Sequence, residues 1–169
     1  MKRKFVAVSS IVLMTTLLAM VSFASACASV PATNHGSLTL IYLDEGTSVT
    51  APSGIVYTYG VVSIFTNYVT IGNSQYTSYA VNHGNSVYNP KTENNDMHLF
   101  AVWYFGTGTG VSSNGFIGFI DYKYTGANIM QATNYHIQAV LYGFGSFAGQ
   151  TLKFDTDNPA LWTGCCIIR

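Results

Sequence analysis

Phe116-Ile117-Gly118-Phe119-Ile120-Asp121-Tyr122-Lys123-Tyr124-Thr125 is the stretch on which the fold class turns. Successive side chains of a strand point to opposite faces. With that period, Phe116, Gly118, Ile120, Tyr122 and Tyr124 oppose Ile117, Phe119, Asp121, Lys123 and Thr125. The second half of the segment has one apolar and one polar face, and the first half is apolar on both. A strand apolar on both faces at one end, as residues 100–105 also are, marks either a buried central position or an aromatic wall open to a ligand or partner.

The same grammar extends in both directions from this strand. Short runs rich in Val, Ile, Tyr, Phe and Thr are separated by Gly, Asn, Ser and Pro, which is the signature of strands and turns. Strands are expected at 37–43, 55–66, 76–81, 97–105, 116–125, 135–142, 151–155 and 161–168, with a bulge or bend at Gly60 and a long polar loop over 82–96 carrying Pro90. No apolar stripe recurs at helical spacing for long enough to argue a helix in this region, and the nearest candidate, 127–132, is short. The expected class is all-β, a single small antiparallel barrel of about eight strands. A two-sheet sandwich is the alternative, and closure favours the barrel because it removes both open sheet edges.

Upstream the composition changes. Lys2, Arg3 and Lys4 precede an uncharged run over 5–23, followed by Ala24, Ser25 and Ala26, the pattern of an export signal with small residues at its cleavage site. This assigns 1–26 to a signal-peptide helix, 27–36 to a short linker and 37–169 to the barrel domain, and places the product outside the cytoplasm, secreted or held in the cell envelope. A retained anchor is the alternative, since the uncharged run is about long enough to span a bilayer. Ala24-Ser25-Ala26-Cys27 resembles a bacterial lipoprotein box, although Ala24 stands where Leu is usual; the resemblance implies a lipid on Cys27, the one expected membrane connection of a processed chain.

Beyond residue 26 the chain has four basic and seven acidic side chains, a net charge of −3. Nucleic acid is excluded as a partner, because phosphate binding needs clustered Lys and Arg. The remaining cysteines, Cys165 and Cys166, are adjacent. On a strand they point to opposite faces, so one buried and one exposed thiol is expected rather than a strained vicinal disulfide.

No chemistry-bearing motif is complete. Gly143-Phe144-Gly145-Ser146-Phe147-Ala148-Gly149 has its third glycine one position late for a dinucleotide loop, and the same segment is no nucleophile elbow. Its plain reading is a strand corner whose glycines permit tight turning while Phe147 plugs the barrel end. Asp96 and His98, two apart, could share a metal with His136, but no zinc spacing exists and no metal is assigned. Asp155-Thr156-Asp157-Asn158 opens like a calcium loop and lacks its glycine and its bidentate Glu, which leaves an Asx-rich turn ended by Pro159. No catalytic residue and no cofactor are assigned.

The stretch from Gly115 through Cys165, most densely Gly143 to Leu152 and Leu161-Trp162-Thr163-Gly164, resembles the strand corner of small exported domains of unknown function and, more remotely, allene oxide cyclase-like barrels of the calycin type. The resemblance implies a closed barrel with an apolar interior able to hold a lipid-like ligand. It carries no catalytic residue across, since no acid here matches the buried acid of the cyclases. With 14% aromatic residues against 8% charged ones, aromatics are the feature from which function must be read. The leading expectation is a non-catalytic barrel holding a hydrophobic small molecule against Phe100, Trp103, Phe105, Phe119, Tyr142 and Phe144. The alternatives are an envelope structural or adhesion module that meets glycans or neighbouring subunits through Tyr57, Tyr59, Tyr76, Tyr79 and Tyr88, a small outer-membrane-type barrel, and a cyclase-like enzyme.

Overall fold

Residues 28–106, 110–127 and 129–169 are described by a computed structural model. The leader 1–26 and the lipidation candidate Cys27 lie outside the described residues. Nine strands follow in chain order: β1 (Ala28–Asp44), β2 (Thr47–Thr50), β3 (Val56–Ile71), β4 (Ser74–Asn89), β5 (Asn94–Gly106), β6 (Gly115–Thr125), β7 (Thr133–Phe144), β8 (Gln150–Thr156) and β9 (Leu161–Ile168). Each strand from β3 to β9 pairs antiparallel with the next, β9 pairs with β1, and β1 pairs with β3. Eight strands thus form a nearly closed ring, the all-β barrel expected from the alternation. β2 prolongs the line of β1 along β3, with Thr47 opposite Tyr59 and Thr50 opposite Val56.

A row of paired residues runs around the ring through Ser63, Asn82, Ala101, Gly118, Leu141, Leu152, Cys166 and Val30. It leaves β1 at Tyr42 and returns to it at Val30. This offset is the stagger that tilted strands need to close a barrel.

Two assignments change. Ala28 already opens β1, so residues 28–36 of the expected linker are the half of that strand that pairs with β9, Ala28 facing Ile168 and His35 facing Leu161. The expected loop 82–96 is the end of β4, a turn over 90–93 and the start of β5, with Asn82 opposite Ala101 and Asn89 opposite Asn94. The stretch 82–96 is largely polar on both faces, which hides the alternation that marks a strand, and in 28–36 the inward apolar side chains, Val30 and Ala32, are few and small. The bulge at Gly60 is present as a register shift between Thr58 and Val61. The weak helical candidate is a single 3-10 turn, Ile129–Gln131.

Inward faces fill the barrel unevenly. On the side made by β5 to β9, Trp103, Phe116, Ile120, Ile137, Leu141 and Leu152 are fully buried. The Trp103 ring lies 6.1 Å from that of Phe154 and 5.9 Å from that of Trp162. An eight-stranded barrel is just wide enough for such side chains to fill. The N-terminal end of the interior is closed by Phe147, whose ring packs 5.1 Å from Phe105 and 5.2 Å from Phe116. Phe147 reaches that position because the corner between β7 and β8 turns through Gly145 (φ 63°) and Gly149 (φ 84°).

The wall made by β1, β3 and β4 adds Ala32, Phe65, Val69 and Ala80 to that core but sets polar side chains between them. Asn34, Ser63, Asn67, Ser78 and Asn82 are all buried there. Asn67 Nδ2 donates to Asn34 Oδ1 at 2.6 Å, and Asn82 Nδ2 donates to Ser63 Oγ at 3.5 Å. Asn34 Nδ2, Asn67 Oδ1, Ser78 Oγ, Asn82 Oδ1 and the Trp103 indole Nε1 make no hydrogen bond to the protein.

Candidate binding groove on the outer face

Parity within each strand sorts the six expected cavity residues. In β5, Trp103 and Phe105 carry odd numbers and point inward, 0% and 4% exposed. Phe100 has the opposite parity and faces out, as do Phe119 of β6 and Tyr142 of β7, which are 40%, 51% and 56% exposed. Phe144 is half-buried and rests edge-on against Tyr104, which shares the outward parity of Phe100. The six residues therefore line no common cavity: two are core, and the others belong to the outer face. Of the five tyrosines considered for surface contact, only Tyr59 is fully exposed, while Tyr76 packs against Phe105 and Phe147.

Cross-strand register assembles that outer face in three rows. Phe100, Phe119, Val140, Lys153 and Cys165 stand side by side on β5 to β9. The next row is His98, Asp121, Gln138 and Asp155, and the one beyond it Asp96, Lys123 and His136. Across β6 to β9 the surface sinks into a groove of about 470 Å³ lined by Phe119, Asp121, Gln138, Val140, Lys153, Asp155, Thr163, Gly164 and Cys165. Gly164 lets its floor form, since a Cβ built there would sit 1.9 Å from the Lys153 carbonyl oxygen. A smaller hollow of about 260 Å³ lies on the other side of Asp121, against Asn85, Val87, Asp96, His98 and Lys123.

The polar groups of the groove are held in place. His98 Nδ1 bonds to the Asp121 carboxylate, and the His98 ring stacks on Phe119 with centroids 5.3 Å apart and planes 15° from parallel. Phe100 meets the same ring edge-on at 5.6 Å. Gln138 Nε2 donates to Asp155 Oδ2 at 3.2 Å, and His136 Nδ1 lies 2.9 Å from Asp157 Oδ1. Phe119 is thus fixed as an exposed platform with a carboxylate on its flank.

Other candidates resolve structurally. His98 is engaged by Asp121, Lys123 separates Asp96 from His136 in their row, and among the described residues no group of three ligating side chains could hold a metal. The segment 155–158 is the expected Asx turn, Asn158 Oδ1 accepting from the backbone N–H of Ala160 at 3.0 Å and of Leu161 at 3.3 Å. Cys166 is buried and bonds through Sγ to Gln150 Oε1 at 3.3 Å, while Cys165 lines the groove, and both are free thiols. Burial pushes the Cys166 thiol above its ordinary range, and the neighbouring Cys165 adds to the shift, against a smaller opposing pull from the Thr151 backbone.

An open trough with one aromatic platform, two carboxylates, an amide and an ammonium can bind an amphipathic solute. The side chains of Asp121 and Asp155 are 49% and 67% exposed, open to a solute that enters from the surface. Comparison with protein-family models, curated proteins and solved structures finds no match, so the groove is read on its own chemistry.

Proposed function

We propose that this protein is an exported, non-catalytic barrel that recognises glycan chains at the cell envelope through its outer groove. The observation that carries the reading is the fixed Phe119 platform beside Asp121, Gln138, Lys153 and Asp155. A sugar ring has an apolar C–H face that packs on an aromatic ring, and hydroxyls at its rim that donate to carboxylates and accept from an amide or ammonium. The trough is open at the surface, which suits one or two units of a longer chain. The interior ligand expected from the resemblance has less support, because Trp103, Phe154 and Trp162 pack across the space it would occupy. The charged side chains on the outer face of β6 to β8, Asp121, Lys123, Lys153 and Asp155, argue against an outer-membrane-type barrel, whose outward band is apolar.

The test is a binding screen of the full chain against immobilised neutral and amino-sugar oligosaccharides, with Phe119→Ala as the control. Loss of the platform should weaken the best ligand about tenfold, the size of one aromatic contact, while circular dichroism and the melting temperature stay as in the parent. Absence of saccharide binding, or binding indifferent to F119A, overturns the reading.

A further inference from the structure

Charge is distributed along the barrel axis with a strong bias. One pole carries the start of β1 at Ala28, the β3–β4 turn at Gly72 and Asn73, the β5–β6 connection, the corner holding Phe147 and the C-terminal end of β9. The opposite pole carries Asp44 and Glu45, the 90–93 turn with Lys91 and Glu93, and the ends of β6 and β8 with Lys123, Asp155 and Asp157. All seven acidic residues beyond position 26 lie toward that second pole. Among the described residues the only charged side chain at the N-terminal pole is Arg169, which is positive, and Lys153 sits midway along β8. Asp155 is five positions from the N-terminal end of β8, about 17 Å along the strand and about 13 Å once strand tilt is included. That is beyond the screening length of about 8 Å at physiological salt.

The pole without acidic side chains also presents apolar tips. Val111 in the β5–β6 connection is 77% exposed and Ile168 is 41% exposed. Ile41, Leu43, Val49, Tyr59 and Val87 are exposed toward the other pole as well, but there Asp44, Glu45 and Asp96 stand among them. Chain connectivity supplies a second and independent constraint. Only Ala24 to Cys27 separate Ala28 from the uncharged run 5–23, and four residues span at most about 14 Å. An anchor in that run, or a lipid on Cys27, would hold the N-terminal pole within that distance of a bilayer.

We propose that the N-terminal pole is a lipid-facing surface. The barrel stands on the headgroups of a phospholipid bilayer with Val111 and Ile168 at the contact, and its carboxylates and groove face away. An anionic headgroup layer repels carboxylates and accepts uncharged aromatic and aliphatic side chains at its boundary. Orientation thus follows from which end lacks acidic side chains, and it exposes the groove to whatever lies beyond the membrane.

The experiment places one tryptophan at each pole of the full chain, as Val111→Trp and Lys91→Trp, with Ile168→Trp as a second reporter for the N-terminal pole. Wild type supplies the background of the buried Trp103 and Trp162. Each protein is reconstituted into vesicles of phosphatidylcholine and phosphatidylglycerol, with or without phosphatidylcholine brominated close to its headgroup as a short-range quencher. Bromolipid should remove most of the emission added by V111W and I168W and leave that added by K91W unchanged. Equal quenching at both poles, as a membrane-spanning barrel gives, overturns the proposal, as does stronger quenching of K91W or no quenching of any reporter.

Discussion

The two walls of the barrel are built from the same period-two chain and solve opposite problems. On β5 to β9 the interior is aromatic and aliphatic and the exterior carries the ordered charges and the groove. On β1, β3 and β4 asparagine and serine are buried between Ala32, Phe65, Val69 and Ala80, and the exterior positions 62, 64, 79 and 81 are Val, Ile, Tyr and Val. The first wall draws stability from apolar burial; the second spends some of it on buried amides that lack full hydrogen bonding. Burying an amide without its partners costs about 1–3 kcal/mol. The aromatic wall is therefore expected to hold the fold, and the polar wall to be where the ring is most easily strained.

Trp103→Ala should break this contrast most visibly. It empties the centre of the aromatic wall, with a loss of about 3–5 kcal/mol in urea unfolding. A loss below about 1 kcal/mol, inside the range of ordinary surface substitutions, would mean that this wall is not the core. The next effect belongs to the polar wall. Asn34→Leu alone strands the Asn67 amide and should cost about 1–3 kcal/mol. The double substitution N34L/N67L, which removes both partners, should regain most of that loss. A double variant as unstable as the sum of the singles would show that the two amides do not act as a pair.

The smallest effect is a pH slope. The Cys166 thiol is raised in the fold, so the unfolded chain ionises first as pH climbs. Its contribution to stability is fully present below the ordinary thiol range, about pH 8.5, and is lost progressively above it. In reductant, stability should fall between neutral pH and the upper end of that window, and Cys166→Ala should flatten the slope. Tyr135, raised chiefly by burial and partly offset by a backbone bond to Ala132, adds its own loss only at higher pH. A slope unchanged in C166A would remove the thiol from the explanation.

Much of this contrast was legible from residue order. The alternation over 116–125 orients β6 correctly, and it already places Phe119 on the face opposite Ile120. The same parity test applied to β5 separates Phe100 from Trp103 and Phe105; grouping all six aromatics as one lining overlooked it. The strand over 82–89 is hidden because His83 and Asn85 give no apolar contrast with Asn82, Gly84 and Ser86. Neighbouring strands supply that burial, and propensity does not. The groove could not be read at all without register. Asp121, Gln138 and Asp155 are seventeen residues apart in each step, and they meet only because the turns between β6, β7 and β8 set the strands level.

Closure of the ring has a temporal consequence. Its last seam joins Ala28–His35 to Leu161–Ile168, the first and final strands of the described chain. No intermediate length can complete the barrel, so a chain made from its N-terminus stays open-edged until β9 is present. Such non-local pairing folds slowly, because the large loop must be closed before its contacts reward the closure. During that interval the N-terminal edge of the growing sheet is exposed to other strands, and a chaperone able to cover β1 would set the yield.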